Sequence, residues 1–140
     1  MKRVSVSGIV TAVLGLLVVL TPVIFPVCET LLELVNGKQV PMRCHWTARA
    51  EMLLGVLVMA VGLMIAFLKS PEARQRLHHQ VALLGAAIIL TPIFIIPTCA
   101  SPDMPCNVGT KPALIILGAL VLITGLLGSR APKTRPEITA

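Results

Sequence analysis

Four apolar blocks, each about 17 to 23 residues long, use nearly all of this 140-residue chain. They run from about Val4 to Pro26, Thr47 to Leu68, Val81 to Pro97 and Pro112 to Gly128. Each is as long as the run of apolar helix that crosses roughly 30 Å of hydrocarbon. With 56% hydrophobic and only 13% charged residues, and a mean hydropathy of +0.91, a soluble domain of this size could not hide its apolar surface. No block alternates polar and apolar residues, which excludes a β-barrel. The expected fold is all-α: a polytopic bundle of four transmembrane helices, with residues 1–140 forming one integral membrane domain. Aromatic residues make up 3% of the chain, too few for a base-stacking surface, so nucleic acid is not an expected partner. The first block follows Lys2-Arg3 but has no small-residue cleavage site and is too long for a signal core, so it is expected to be retained. Cys28 follows Phe25-Pro26-Val27, which does not fit a lipoprotein signal.

Charge predicts the orientation. Lys2, Arg3, Lys69, Arg74, Arg76, Arg130, Lys133 and Arg135 share one side, which carries the whole net charge of +6. Lys38, Arg43, Arg49 and Lys111 share the other, balanced by Glu29, Glu33, Glu51 and Asp103. The positive-inside rule then places both termini, the middle loop and the tail 129–140 in the cytoplasm of a prokaryotic inner membrane. His78 and His79 lie in the basic loop and are expected to face lipid headgroups. All four cysteines fall outside, where the compartment is oxidising. Four cysteines allow three pairings; the simplest is one bond per hairpin, Cys28–Cys44 and Cys99–Cys106.

The two halves of the chain resemble each other. Gly15, Thr21-Pro22 and Pro26-Val27-Cys28 are answered by Gly85, Thr91-Pro92 and Pro97-Thr98-Cys99, with one extra residue between the prolines of the second copy. Met42-Arg43-Cys44 is answered by Met104-Pro105-Cys106, Arg49 by Lys111, and Gly55 and Gly62 by Gly118 and Gly125. Two parallel helical-hairpin repeats are therefore expected, about 4–68 and 71–128, related by an axis along the membrane normal. Bends are expected at Pro22 and Pro92, with the neighbouring threonine hydroxyls meeting the freed carbonyls. Gly15, Gly55, Gly62, Gly85, Gly118 and Gly125, with Gly8, are expected to let helices approach closely. In the outer loop, Glu29 to Val35 reads as a short helical extension stopped at Asn36-Gly37. Trp46 suits an interfacial anchor. Ser70-Pro71-Glu72 reads as a helix start, which lets the third helix begin at Pro71.

Candidate chemistry is sparse. Glu51 is the one acid inside a predicted span, with Arg49 and Thr47 nearby, and the second copy has Ala113 there. Pairing with a loop or an arginine is the expected role. No charge lies near the centre of any span, which argues against an ion-coupled transporter or a channel. Met42, Cys44, His45, Met104 and Cys106 have the softness that suits copper(I), yet oxidised cysteines would remove that set. No metal and no cofactor is expected. A layout of four helices with outer cysteine pairs resembles the quinone-linked membrane thiol oxidases, without their Cys-x-x-Cys.

The stretch Met42 to Glu51, with His45, Trp46 and Arg49 inside it, and the stretch Met104 to Leu114 together resemble the signatures of an uncharacterised prokaryotic family of small four-helix membrane proteins. That family is a domain of unknown function whose members are often encoded beside ABC-transporter permeases and ATPases. The resemblance implies that Cys28, Cys44, Cys99, Cys106, Arg49 and Glu51 are signature positions with no catalytic role assigned. It implies a non-enzymatic accessory subunit in a larger membrane complex, an ABC-type transporter first, with its permease and the surrounding lipid as partners. A membrane thiol oxidoreductase is the alternative, and extracytoplasmic soft-metal binding the lesser one.

Overall fold

The computed structural model describes residues 5–25, 27, 31–98 and 100–130. Four long helices dominate it: α1 (Val6–Ile24), α2 (Arg43–Phe67), α3 (Pro71–Leu90) and α4 (Lys111–Arg130). A π-helical turn at Thr91–Ile95 prolongs α3, and another at Cys106–Thr110 leads into α4. The helical runs Val6–Ile24, Arg43–Phe67, Pro71–Ile95 and Cys106–Arg130 are all long and apolar enough to cross a bilayer. The chain is thus a multi-pass membrane protein of four helices, in contact with lipid. Leu16, Leu53, Leu83 and Ile116 turn outward, as lipid-facing residues do.

Glycine decides how the helices pair. α1 packs along α2 and α3 along α4, while α1–α4 and α2–α3 touch more lightly. The helices therefore follow one another around a square, with α2 diagonal to α4. A Cβ on Gly15 would stand 2.5 Å from the Met59 nitrogen, and one on Gly85 would stand 2.5 Å from the Leu122 nitrogen. Gly62 meets Ala12, Gly125 meets Ala82, and Gly55 and Gly118 lie against Val19 and Ile89. Lipid supplies no hydrophobic drive between helices, so such close backbone approach is what holds them together.

A second series of residues faces the centre. On α2 it steps by seven through Cys44, Glu51, Val58 and Ile65, all fully buried. Val18 of α1, Val81 and Ile88 of α3, and Leu114 and Val121 of α4 complete the core with Val58 and Ile65.

Several expectations need correction. The loop between α1 and α2 is not helical where described: Leu31–Glu33 (β1) and Gln39–Pro41 (β2) pair antiparallel, Leu32 opposite Val40. A five-residue turn closes them, with Gly37 at φ +72°. A helical piece this short is marginal on its own, and no element covers its apolar residues. Glu29 lies outside the described residues. Helix α2 starts at Arg43, not Thr47, because its first turn is helical before it is apolar. Pro22 lies within α1, and the hydroxyls of Thr21 and Thr91 donate to the Leu17 and Ala87 carbonyls at 2.7 and 2.8 Å. Those acceptors lie one residue before the carbonyls that the prolines free. The extra residue between Pro92 and Pro97 falls on the π-helical turn, closed by Ile96 N–H to the Thr91 carbonyl at 2.9 Å. Ser70 precedes α3 with Pro71 and Glu72 in its first turn, but its hydroxyl makes no capping bond.

Gly15→Ala and Gly85→Ala are each expected to lower unfolding stability in detergent by about 1–3 kcal/mol, as overpacked helix contacts do. Gly37→Ala meets no neighbour and is expected to cost about 1 kcal/mol, through its backbone conformation alone. Unchanged denaturation midpoints for the two helix variants would contradict this packing.

Candidate functional site

Two sulfurs meet where the hairpins converge. Cys44 lies in the first turn of α2, and Cys106 opens the π-helical turn before α4. Both side chains are 1% exposed, and their Sγ atoms are 3.4 Å apart. Cys44 is disulfide-bonded, whereas Cys106 keeps a free thiol. A separation of 3.4 Å is contact, not a bond, since bonded sulfurs lie about 2.05 Å apart. The bond expected between Cys99 and Cys106 is therefore replaced, at Cys106, by a buried thiol resting against a disulfide. Cys28 and Cys99 themselves lie outside the described residues.

Local chemistry holds the helix ends in this place. The Thr47 hydroxyl of α2 donates to the Ile96 carbonyl beyond α3 at 3.0 Å. The Thr110 hydroxyl before α4 donates to the Phe25 carbonyl beyond α1 at 3.4 Å. Each bond crosses from one hairpin to the other. Gly109 leaves room for the Phe25 ring, whose nearest carbon would be 3.0 Å from a Cβ there. Asn107 staples the second loop: it accepts from the Thr98 hydroxyl at 2.5 Å and donates to the Ser101 carbonyl at 2.7 Å.

An open cavity of about 570 Å³ lies at this end of the bundle, lined by Leu32, Met42, Arg43, Pro97, Thr98, Ala100 and Met104. Met42 and Met104, two residues before Cys44 and Cys106, thus share one cavity. His45 is half-buried beside the exposed Trp46, their rings edge to face with centroids 6.0 Å apart. Trp46 is 54% exposed, as an interfacial ring would be. Arg49 is also exposed. No cluster of three His, Cys, Asp or Glu side chains able to hold a metal occurs among the described residues.

Glu51 differs from its expected role. It is fully buried, and neither carboxyl oxygen has a hydrogen-bond partner among the described residues. It pairs with neither a loop nor Arg49. In α4, Leu114 stands four residues before Gly118 as Glu51 stands four before Gly55, and it too is buried, whereas Ala113 is half-buried.

At the other end of the bundle, His78 is buried rather than facing headgroups. Its Nε2 lies 3.5 Å from the Ser7 hydroxyl, Arg74 donates to the Ser5 hydroxyl, and its ring lies flush on Gly128. The sequence reading gave His78 only its place in the basic loop, although it stands seven residues before Gly85, as Gly8 stands before Gly15. Cys44 with Cys106 belongs to one of the three pairings that the sequence leaves open, and these are the two sulfurs that touch.

Residues 11–129 match the family model described as Domain of unknown function (DUF4418). No curated protein and no solved structure matches the chain.

A polyethylene-glycol maleimide is expected to leave Cys106 unmodified in the folded protein and to modify it after denaturation in SDS. Equal labelling in both states would contradict its burial.

Proposed function

The chain belongs to the DUF4418 family, a domain of unknown function, and on that premise we propose that it is a membrane thiol–disulfide exchange protein. The observation that carries this reading is the free Cys106 thiol 3.4 Å from a sulfur of the Cys44 disulfide. Exchange proceeds by attack of a thiolate on a disulfide sulfur. Cys106 attacks Cys44 Sγ, the Cys44–Cys106 bond forms, and Cys44's former partner leaves as a thiolate. Two electrons stay in the sulfur set throughout, so the step needs no outside oxidant. The proposal includes an architecture of two parallel hairpin repeats in a prokaryotic inner membrane. Both termini face the cytoplasm and the cysteines face outward, as the charge asymmetry and the oxidising outer compartment favour. The pairs of like residues support the repeat: Val18 with Ile88, Val58 with Val121, and Thr47 with Thr110 are all buried.

A second reading keeps the protein as a non-enzymatic subunit of a larger membrane complex, an ABC-type transporter first. Its support is the apolar outer surface and the neighbours implied by the family resemblance. Glycine faces open to a partner helix do not support it, because each described helical glycine in α1 to α4 meets another part of the bundle.

Exchange is tested on the oxidised full-length protein by acid quench, alkylation and mapping of linked peptides. After incubation at neutral pH, Cys44–Cys106-linked peptides are expected beside the original Cys44 linkage. Cys106→Ser is expected to abolish them and to slow reaction with glutathione by about tenfold or more. A single, unchanging linkage would refute exchange. Purification in mild detergent tests the second reading. Co-purifying transporter subunits are expected there, and a lone chain whose loss leaves neighbouring transporters unaffected would sink it.

A further inference from the structure

The open cavity of about 570 Å³ has one charged group in its wall. That group is Arg43, the first residue of α2, which is exposed and makes no ion pair among the described residues. Leu32, Met42, Pro97 and Met104 supply apolar wall. The Thr98 hydroxyl is already given to Asn107, so Arg43 is the side-chain donor left to the cavity. No acid lines it. Glu33 follows Leu32 on β1, so its side chain points to the opposite face of the strand. A cation set in an apolar wall suits a ligand with an anionic head and an apolar body.

Below Arg43 runs a seam between the hairpins. Thr47, one turn after Arg43, bonds to the Ile96 carbonyl, so this side of α2 faces the end of α3. Leu54 and Val61 stand about three and five turns after Arg43, on the same line of the helix. Both are only partly buried, as is Leu84 of α3. α2 and α3 touch more lightly than either glycine-packed pair, and no described glycine draws them together. The seam is therefore a shallow apolar groove, continuous with the lipid-facing surface at Leu57, Phe94 and Ile95. The seam between α1 and α4 differs at this end, because the Phe25 ring lies there against Gly109.

We propose that the cavity seats an anionic phospholipid, its phosphate on Arg43 and one acyl chain along the α2–α3 seam. A guanidinium holds a phosphate through two parallel hydrogen bonds. Trp46, three residues after Arg43 and 54% exposed, stands at the depth where lipid headgroups meet the hydrocarbon. The chain fills the side of the bundle that glycine packing leaves loose, and this role does not depend on the exchange reading.

Trp46 is the single tryptophan of the protein and stands beside the seat, so its fluorescence reports occupancy. The full-length protein is placed in phosphatidylcholine nanodiscs and titrated with brominated phosphatidylglycerol or brominated phosphatidylcholine. Bromine on an acyl chain quenches a tryptophan that it touches. The brominated phosphatidylglycerol is expected to quench Trp46 at about fivefold lower mole fraction, the scale of one cation beside an anionic headgroup. Arg43→Gln should make the two lipids equal, and Arg43→Lys should keep part of the preference. Both replace an exposed side chain and are expected to fold, which an unchanged melting curve checks. Lys38→Gln, Arg49→Gln and Lys111→Gln remove the other cations at this end and should behave like wild type. Unlabelled phosphatidylglycerol should relieve the quenching, and inorganic phosphate should not. Equal quenching by the two lipids in wild type would overturn the proposal. So would a preference that survives Arg43→Gln, or one lost in any of the three control variants. Relief by inorganic phosphate would overturn the lipid in favour of a free anion.

Discussion

Close backbone contact between neighbouring helices is the interaction on which the rest of this structure depends. In lipid an apolar side chain gains little by turning from solvent to protein, so helices stay together where their backbones can approach. Gly15 against Met59 and Gly85 against Leu122 give each hairpin a single spacing and a single register. Once α1–α2 and α3–α4 are fixed, the seven-residue series on each helix turns toward the centre. Val18, Val58, Val81, Ile88, Leu114 and Val121 then close over one axis. The helix ends inherit this order, and so Cys44 and Cys106 meet without a mobile loop having to bring them together.

On the proposed repeat, the two halves share a framework and differ in their chemistry. Where the first half has Gly8 and Ile65, the second has His78 and Gly128, and the ring fills the space that the smaller glycine leaves. Where the first half has Glu51, the second has Leu114. The π-helical turns at Thr91–Ile95 and Cys106–Thr110 lie where the proposed repeat would have one residue more in its second half. Those turns also place Ile96 within reach of Thr47 and Thr110 within reach of Phe25, and these two bonds lock one hairpin to the other.

Much of this was legible in the residues. Apolar length gave the four spans, and the repeated glycine spacing pointed to the contact faces of the helices, because both follow from helical geometry alone. The outer hairpin was not legible: Leu31 to Val35 looks like an apolar helical turn, and only pairing with Gln39–Pro41 makes it a strand. The π-helical turns were invisible for a related reason. An inserted residue can widen a turn, add a bulge or lengthen a loop, and the surrounding packing selects among them. The contact between Cys44 and Cys106 belongs to one of three pairings that the sequence left open. Loop length favours Cys99 with Cys106, but helix ends in space decide which sulfurs touch.

The position of that centre has a mechanical consequence. α2 and α4 stand diagonally across the bundle, and their main packing is with α1 and α3. A bond between Cys44 and Cys106 would tie the diagonal directly at the end where the threonine latches cross. A bond from Cys44 to another cysteine leaves that diagonal held only by packing. The proposed exchange would change which elements are covalently joined and leave the glycine-packed hairpins as they are. Because the glycine contacts lie deeper along the helices than the sulfurs, the register does not depend on which bond is made.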